Sequence, residues 1–210
     1  MQEIIKRIQA SADLKAALIQ DHALLSSVGQ ITHKFVDTLK AGNQILICGN
    51  GGSAADALHL AAEFSGRFYL NRKALPVEAL NVNEAALTAI SNDFGFDKLY
   101  ARLLEAKAKK GDMLWLLSTS GKSPNIVNAA MQAQKMGVDS VAFTGSNASI
   151  LDENCSLIVK VPSTDTPRIQ ECHLLLGHII CEFLGSRAPD SGSKAGWKGW
   201  YTGPNWTPKC

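Results

Sequence analysis

No run of apolar residues approaches the roughly 18 that a membrane-spanning helix needs, so no span is expected. Neither sign of charge dominates. Lys and Arg number 21 against 19 Asp and Glu, for a formal charge of +2. A protein built to hold nucleic acid concentrates basic charge, so none is expected as a partner. The amino terminus, MQEIIKRIQASADLK, lacks an uninterrupted apolar stretch and so does not read as a signal peptide. The five cysteines (Cys48, Cys155, Cys172, Cys181, Cys210) form no CxxC pair. An odd, scattered set without an export signal implies reduced, buried thiols in a cytoplasmic protein, and no Cys metal ligand. What remains is 210 residues, 46% of them apolar, enough for one domain with a sizeable core.

Residues 2–41 are helical by pattern, with Leu24, Leu25, Val28, Ile31, Phe35, Val36 and Leu39 at three- and four-residue spacing. Gly42 and Asn43 stop the run. Five short apolar segments then alternate with helical ones: strands at 44–49, 76–80, 113–117, 139–144 and 156–161. Helices are predicted at 53–67, near 84–91, at 96–109 and at 123–136, with a short turn or helix near 147–152 and a long closing helix at 166–186. Strands separated by helices imply right-handed crossovers. The expected fold is therefore α/β, a parallel five-stranded sheet flanked by helices, with residues 1–42 as a helical extension and 43–186 as the domain. The closing helix carries Ile169, Leu174, Leu175, Leu176, Ile179, Ile180, Phe183 and Leu184, apolar nearly all round. Such a helix must be covered on every side, which predicts a homo-oligomer. Residues 187–210, rich in Trp, Gly and Pro, form an irregular tail outside this scheme.

Two loops suit an anion. After the first strand comes Gly49-Asn50-Gly51-Gly52-Ser53, where glycines let the backbone approach a ligand and the next helix offers free N–H groups. The spacing also satisfies the dinucleotide fingerprint, but no acidic residue stands at the end of the second strand, where the ribose requires one. A tight turn without a ligand is the alternative reading. After the third strand, Ser118, Thr119, Ser120 and Ser123 place four hydroxyls in six residues before Pro124 at a helix start. Several short donors at a positive dipole end suit phosphate oxygens. A polar loop with Ser123 as a simple helix cap is the alternative.

The segments GNGGSAADALHLAAEFSGRF, LTAISNDFGF, STSGKSPN and RIQECHLLLGHIICE resemble the SIS (sugar isomerase) domain of the phosphoheptose isomerases, in order and at that family's spacing. The resemblance implies a homotetramer that interconverts sedoheptulose 7-phosphate and D-glycero-D-manno-heptose 7-phosphate through an enediol, an entry step to lipopolysaccharide heptose. Spacing alone puts His59 and Glu63 on one helical face, as any i, i+4 pair would be. The resemblance makes Glu63 the catalytic base and His178 the acid. It also makes His59, Glu63, Gln170 and His178 the ligands of one zinc per subunit. Matched residue by residue, Asn50, Gly51, Gly52, Asn92, Asp93, Ser118, Thr119, Ser120, Ser123 and Gln170 touch the sugar or phosphate, with Ser53 adding to the cradle or capping its helix. His22, His33 and His173 are expected to be structural or surface residues.

Gln170 and His178 are eight helical positions apart, about 12 Å of rise and about 80° of turn. That is near the limit of reach for one metal, so the site is expected at a subunit interface. Three positions depart from the family pattern. Lys122 stands where Asn is common, Asn83 where Asp is common, and TGSNAS replaces TGxDGG at 144–149. The last two leave open which heptose phosphate is taken. The rival of another class is a non-catalytic SIS protein that associates with the replication initiator DnaA. Such proteins lack the Glu and the last His, both present here.

Overall fold

The computed structural model describes residues 1–185, so the expected tail at 187–210 lies outside the described residues. The amino-terminal stretch is two helices, α1 (Gln2–Gln20) and α2 (His22–Lys40). Asp21 divides them: its ψ of 83° leaves the helical region, and its carboxylate accepts the Leu24 N–H at 2.9 Å. The apolar stripe read from the sequence lies inside, with Leu24, Val28, Ile31, Phe35, Val36 and Leu39 all buried.

The strands are β1 (Ile45–Gly49), β2 (Val77–Ala79), β3 (Met113–Leu117), β4 (Asp139–Thr144) and β5 (Leu157–Lys160). They form one sheet in the order β2-β1-β3-β4-β5, and every neighbouring pair is parallel. The helices between them are α3 (Gly52–Ser65), α4 (Glu84–Phe94), α5 (Leu99–Lys107), α6 (Pro124–Met136) and the short α7 (Leu151–Asn154), and α8 (Thr166–Gly185) closes the domain. The segment expected as one helix at 96–109 begins with a 3-10 turn, Phe96–Lys98, and α3 ends two residues early where Gly66 turns extended.

Alternate residues of a strand face opposite sides of a sheet, and both sides here are covered. Ile45, Ile47, Trp115, Leu117 and Phe143 pack toward α2, α3 and α8. Leu46, Cys48, Leu114, Leu116 and Ala142 pack toward α5 and α6. On α8, Ile169, Leu176, Ile180 and Leu184 are buried, while Leu174, Leu175 and Ile179 are only half-buried within the single chain. Cys48, Cys172 and Cys181 are buried free thiols, and Cys155 is half-buried. No helix among the described residues is long and apolar enough to cross a membrane.

The strand order places the two loops predicted to suit an anion. From β1 the chain steps outward to β2 and then crosses back to β3, so connections leave the carboxyl ends of β1 and β3 in opposite directions. In open parallel sheets the crevice at that point is where ligands bind. Both predicted anion loops stand there.

Candidate active site

The glycine loop follows from its backbone. Gly51 has φ 54° and ψ −121°, a conformation that side-chain-bearing residues avoid, and it starts α3 without a side-chain cap. Gly49, the last residue of β1, lies against the first turn of α3: a Cβ there would stand 2.6 Å from the Ser53 carbonyl oxygen. Tyr100 tethers the loop by donating its hydroxyl to the Gly49 carbonyl. Ser53 is buried, and its N–H closes the turn on Asn50 O at 3.0 Å.

Across the crevice, the loop after β3 is shaped by its own hydroxyls. Ser118 Oγ accepts the Gly121 N–H and Ser120 Oγ accepts the Lys122 N–H, both at 3.2 Å. A hydroxyl that accepts still holds a proton to donate, so both remain able to bind an anion. Ser123 makes no side-chain cap on α6, contrary to the simple-cap alternative, while Thr119 is half-buried and its carbonyl accepts the Gly145 N–H at 3.0 Å. Asn50 and Asn125 join the two loops by a reciprocal amide pair, each Nδ2 donating to the other's Oδ1 at 2.8 Å. A cavity of about 350 Å³ opens beside them, lined in part by Asn50, Gly51, Asn81, Thr88, Ser91 and Tyr100. Asn92 and Asp93 stand apart from this lining, exposed near the end of α4 and hydrogen-bonded to each other at 2.9 Å.

Helices α3 and α8 carry the remaining residues. Asp56 faces Gln170, Leu60 packs on Gly177, and Glu63 approaches Cys181. The contacts advance together along both helices, so the two run parallel. Gly177 allows the close approach, because a Cβ there would stand 2.7 Å from Leu60 Cδ2. This register sets His178 opposite His59 and Glu63. The two Nε2 atoms are 2.9 Å apart, His59 Nε2 lies 3.4 Å from Glu63 Oε1, and one ligand atom from each residue falls within 4.8 Å of the others. The His59 side chain is 49% exposed and that of Glu63 26%, so the cluster reaches the surface of the single chain.

Three of the four expected ligands therefore meet within one chain. Gln170 stands elsewhere, against Gly52 and Asp56; a Cβ on Gly52 would lie 2.2 Å from Gln170 Nε2. Gly52 and His59 are about 10 Å apart along α3. The donor set suits zinc, which takes imidazole nitrogen and carboxylate oxygen. Two imidazole nitrogens at 2.9 Å must either share one proton or turn both lone pairs to one cation.

Sequence reasoning passed over Asp56, although it shares the helical stripe of His59 and Glu63 at i, i+3 and i+7. Its Oδ2 is buried without a hydrogen-bond partner. Burial pushes its carboxyl above the ordinary range, while Gln170 and the imidazoles of His59 and His178 pull it partway back. Asn125 closes the STSGKSPN segment without a role assigned to it, and Tyr100 lies in no pattern that marks a site. His173 is buried, with Nε2 3.2 Å from Thr144 O, consistent with a structural role.

Comparison with known proteins places this arrangement. Residues 7–145 match the SIS domain family. The chain is 44% identical over 185 residues to a phosphoheptose isomerase of Aneurinibacillus thermoaerophilus, covering 88% of this chain and 93% of that one. It is 45% identical over 178 residues to one of Burkholderia pseudomallei, covering 85% and 90%. Among solved structures, the phosphoheptose isomerase of Francisella tularensis superposes with a TM-score of 0.83 at 29% identity, covering 88% of this chain and 97% of that one. That of Neisseria gonorrhoeae gives 0.80 at 34%, covering 86% and 97%. The chain belongs to the phosphoheptose isomerase family of SIS-domain proteins.

Proposed function

We propose that this protein is an aldose–ketose isomerase that interconverts sedoheptulose 7-phosphate and D-glycero-D-manno-heptose 7-phosphate, in the cytoplasm, for lipopolysaccharide heptose. The observation that carries the reading is the meeting of His59, Glu63 and His178 on two parallel helices, one of which starts from the glycine loop. The substrate phosphate sits on the hydroxyls of Ser118, Thr119, Ser120 and Ser123 at the start of α6, with Asn50, Gly51, Gly52, Ser53, Asn92, Asp93 and Gln170 toward the sugar.

Glu63 takes a proton from C1 of the ketose. The C–H electron pair forms the C1–C2 double bond, and the carbonyl pair moves to O2, where His178 gives a proton from the ring nitrogen that does not hold the cation. Return of a proton to C2, with loss of the O1 proton, leaves the aldehyde at C1. A carboxylate has two oxygens, so Glu63 can hold a cation with one and accept a proton on the other. His59, Glu63 and His178, with Gln170 as a fourth donor, would hold a zinc ion, which would supply Lewis-acid polarisation of the carbonyl. The half-covered face of α8, together with exposed Ile4, Ile5 and Ile8 on α1, supports an oligomer, read here as a tetramer with active sites at its interfaces.

The test is incubation of the purified protein with sedoheptulose 7-phosphate and detection of an aldoheptose phosphate. Glu63→Gln is expected to abolish isomerisation, by at least about a hundredfold, while the oligomer stays intact. Near-normal turnover in that variant removes Glu63 as the base. No turnover by the wild type, with tight binding to DnaA instead, replaces the enzyme by the non-catalytic reading.

A further inference from the structure

Helix α3 ends with the carbonyls of its last turn unpaired within the helix, as every helix does. Residues 66–75 fold back to take them up. Arg72 donates from Nη1 to Phe64 O at 2.8 Å and to Lys73 O at 3.1 Å, and from Nη2 to Glu63 O at 3.2 Å. The Leu75 N–H reaches Phe64 O at 3.1 Å. Pinned at that end, the segment brings Phe68 to His178, with ring centroids 5.9 Å apart and planes inclined by 27°. His59 meets the same imidazole edge-on, at 5.1 Å and 61°.

Phe68 has φ 46°, the one positive φ outside glycine among the described residues. An aromatic residue adopts this conformation at a cost, and it persists only where the surroundings hold it. The second side-chain torsion of histidine is broad, so rotamer preference alone leaves the plane of an imidazole loosely defined. A neighbouring ring face fixes it.

We propose that Phe68 is a positioning residue: stacked on His178, it sets the imidazole plane so that Nε2 faces His59 Nε2 and Glu63 Oε1. Arg72 anchors the segment that delivers it, and the unfavourable backbone at Phe68 is what carries the ring to the imidazole. The inference rests on His178 acting as acid and cation ligand.

The experiment compares Phe68→Gly, Phe68→Leu and Phe68→Tyr in the full chain. Glycine accepts the positive φ, so Phe68→Gly removes the ring without straining the backbone, and Phe68→Leu keeps apolar bulk should the glycine variant fold poorly. With sedoheptulose 7-phosphate, kcat in the Gly and Leu variants is expected to fall about 10- to 100-fold, with KM within roughly threefold and Tyr near wild type. Zinc affinity of the stripped protein, measured by chelator competition, falls in the same two variants and not in Tyr. The His178 ring-proton resonance, assigned with His178→Gln in 13C-histidine-labelled protein, moves as the Phe68 ring current is lost. Wild-type kcat and zinc affinity in both Phe68→Gly and Phe68→Leu overturn the proposal. If the wild type turns over no heptose phosphate, the functional reading fails, while zinc affinity and the His178 resonance still decide whether Phe68 positions the ring.

Discussion

Acid should weaken this protein through one buried imidazole. His173 is fully enclosed, its Nε2 lies 3.2 Å from the Thr144 carbonyl, and its Nδ1 has no partner. The Nε2 proton is therefore donated and Nδ1 is a bare lone pair on a ring whose centroid lies 5.7 Å from that of Phe143. Protonating Nδ1 would bury a cation with no acceptor. Burial accordingly lowers the pKa of His173 to about 4, from an ordinary 6.5, against a smaller upward pull from Thr144. The unfolded chain binds this proton below 6.5 and the folded chain only below about 4, so stability is lost as pH falls through that window. At about 1.4 kcal/mol per pH unit, the gap caps the loss at roughly 3 kcal/mol, or about 6–12 °C in Tm for a chain of this size. Other groups titrate too. For Asp139, burial pushes upward but hydrogen bonds from Lys34 and Ser156 win, and for Glu171 those from Ser11 and Lys15 do; both lose their stabilisation below the ordinary carboxylate range. Asp56, raised by burial, works in the opposite sense. Comparing wild type with His173→Gln cancels all of these. Urea unfolding at fixed protein concentration, from about pH 7 to pH 4, should show the wild-type advantage shrinking by roughly 3 kcal/mol. A difference that stays flat across this range refutes the account of His173 as a buried neutral donor.

Three further outcomes follow from contacts at the loops and the cluster. Gly49→Ala drives a Cβ to 2.6 Å from the Ser53 backbone oxygen and should cost about 1–3 kcal/mol in urea unfolding; Gly52→Ala meets only the movable end of Gln170 and should melt near wild type while weakening zinc binding. Equal stability losses in the two variants would contradict the distinction between a backbone and a side-chain obstacle. Asn125→Ala strands the Asn50 amide at the junction of the two loops, so KM for the sugar phosphate should rise and stability should drop by about 1–3 kcal/mol, read by steady-state kinetics and melting. Exhaustive chelation should abolish turnover and zinc should restore it; full activity in protein shown by elemental analysis to be metal-free would dismiss the metal.

Much of this was legible because it depends on local pattern. Short apolar runs bounded by glycine and polar turns became the five strands, and the order of strands and helices implied a parallel sheet before any contact was known. The anion loops could be located because glycine at Gly51 and the hydroxyls after β3 carry their own physical signature. Helices over residues 2–41 are legible, but not the break between them at Asp21, because a single Asp with its carboxylate on Leu24 interrupts no apolar period. The arrangement of α3 against α8 was illegible for a deeper reason. Periodicity reports which residues share a face of one helix, but says nothing of how far one helix slides along another. Reach along α8 alone made Gln170 and His178 a strained pair for one metal and pointed to a second chain. The actual register is set by Leu60 seated on Gly177, a contact between an ordinary core leucine and an unremarked helical glycine. A shift by one turn, about 5.4 Å, would leave His59 and Glu63 facing Leu174 or Glu182 in place of His178. The cluster therefore depends on a packing contact made by two residues with no chemistry of their own, and any substitution that enlarges Gly177 should dismantle the site through the helix spacing before it touches a ligand.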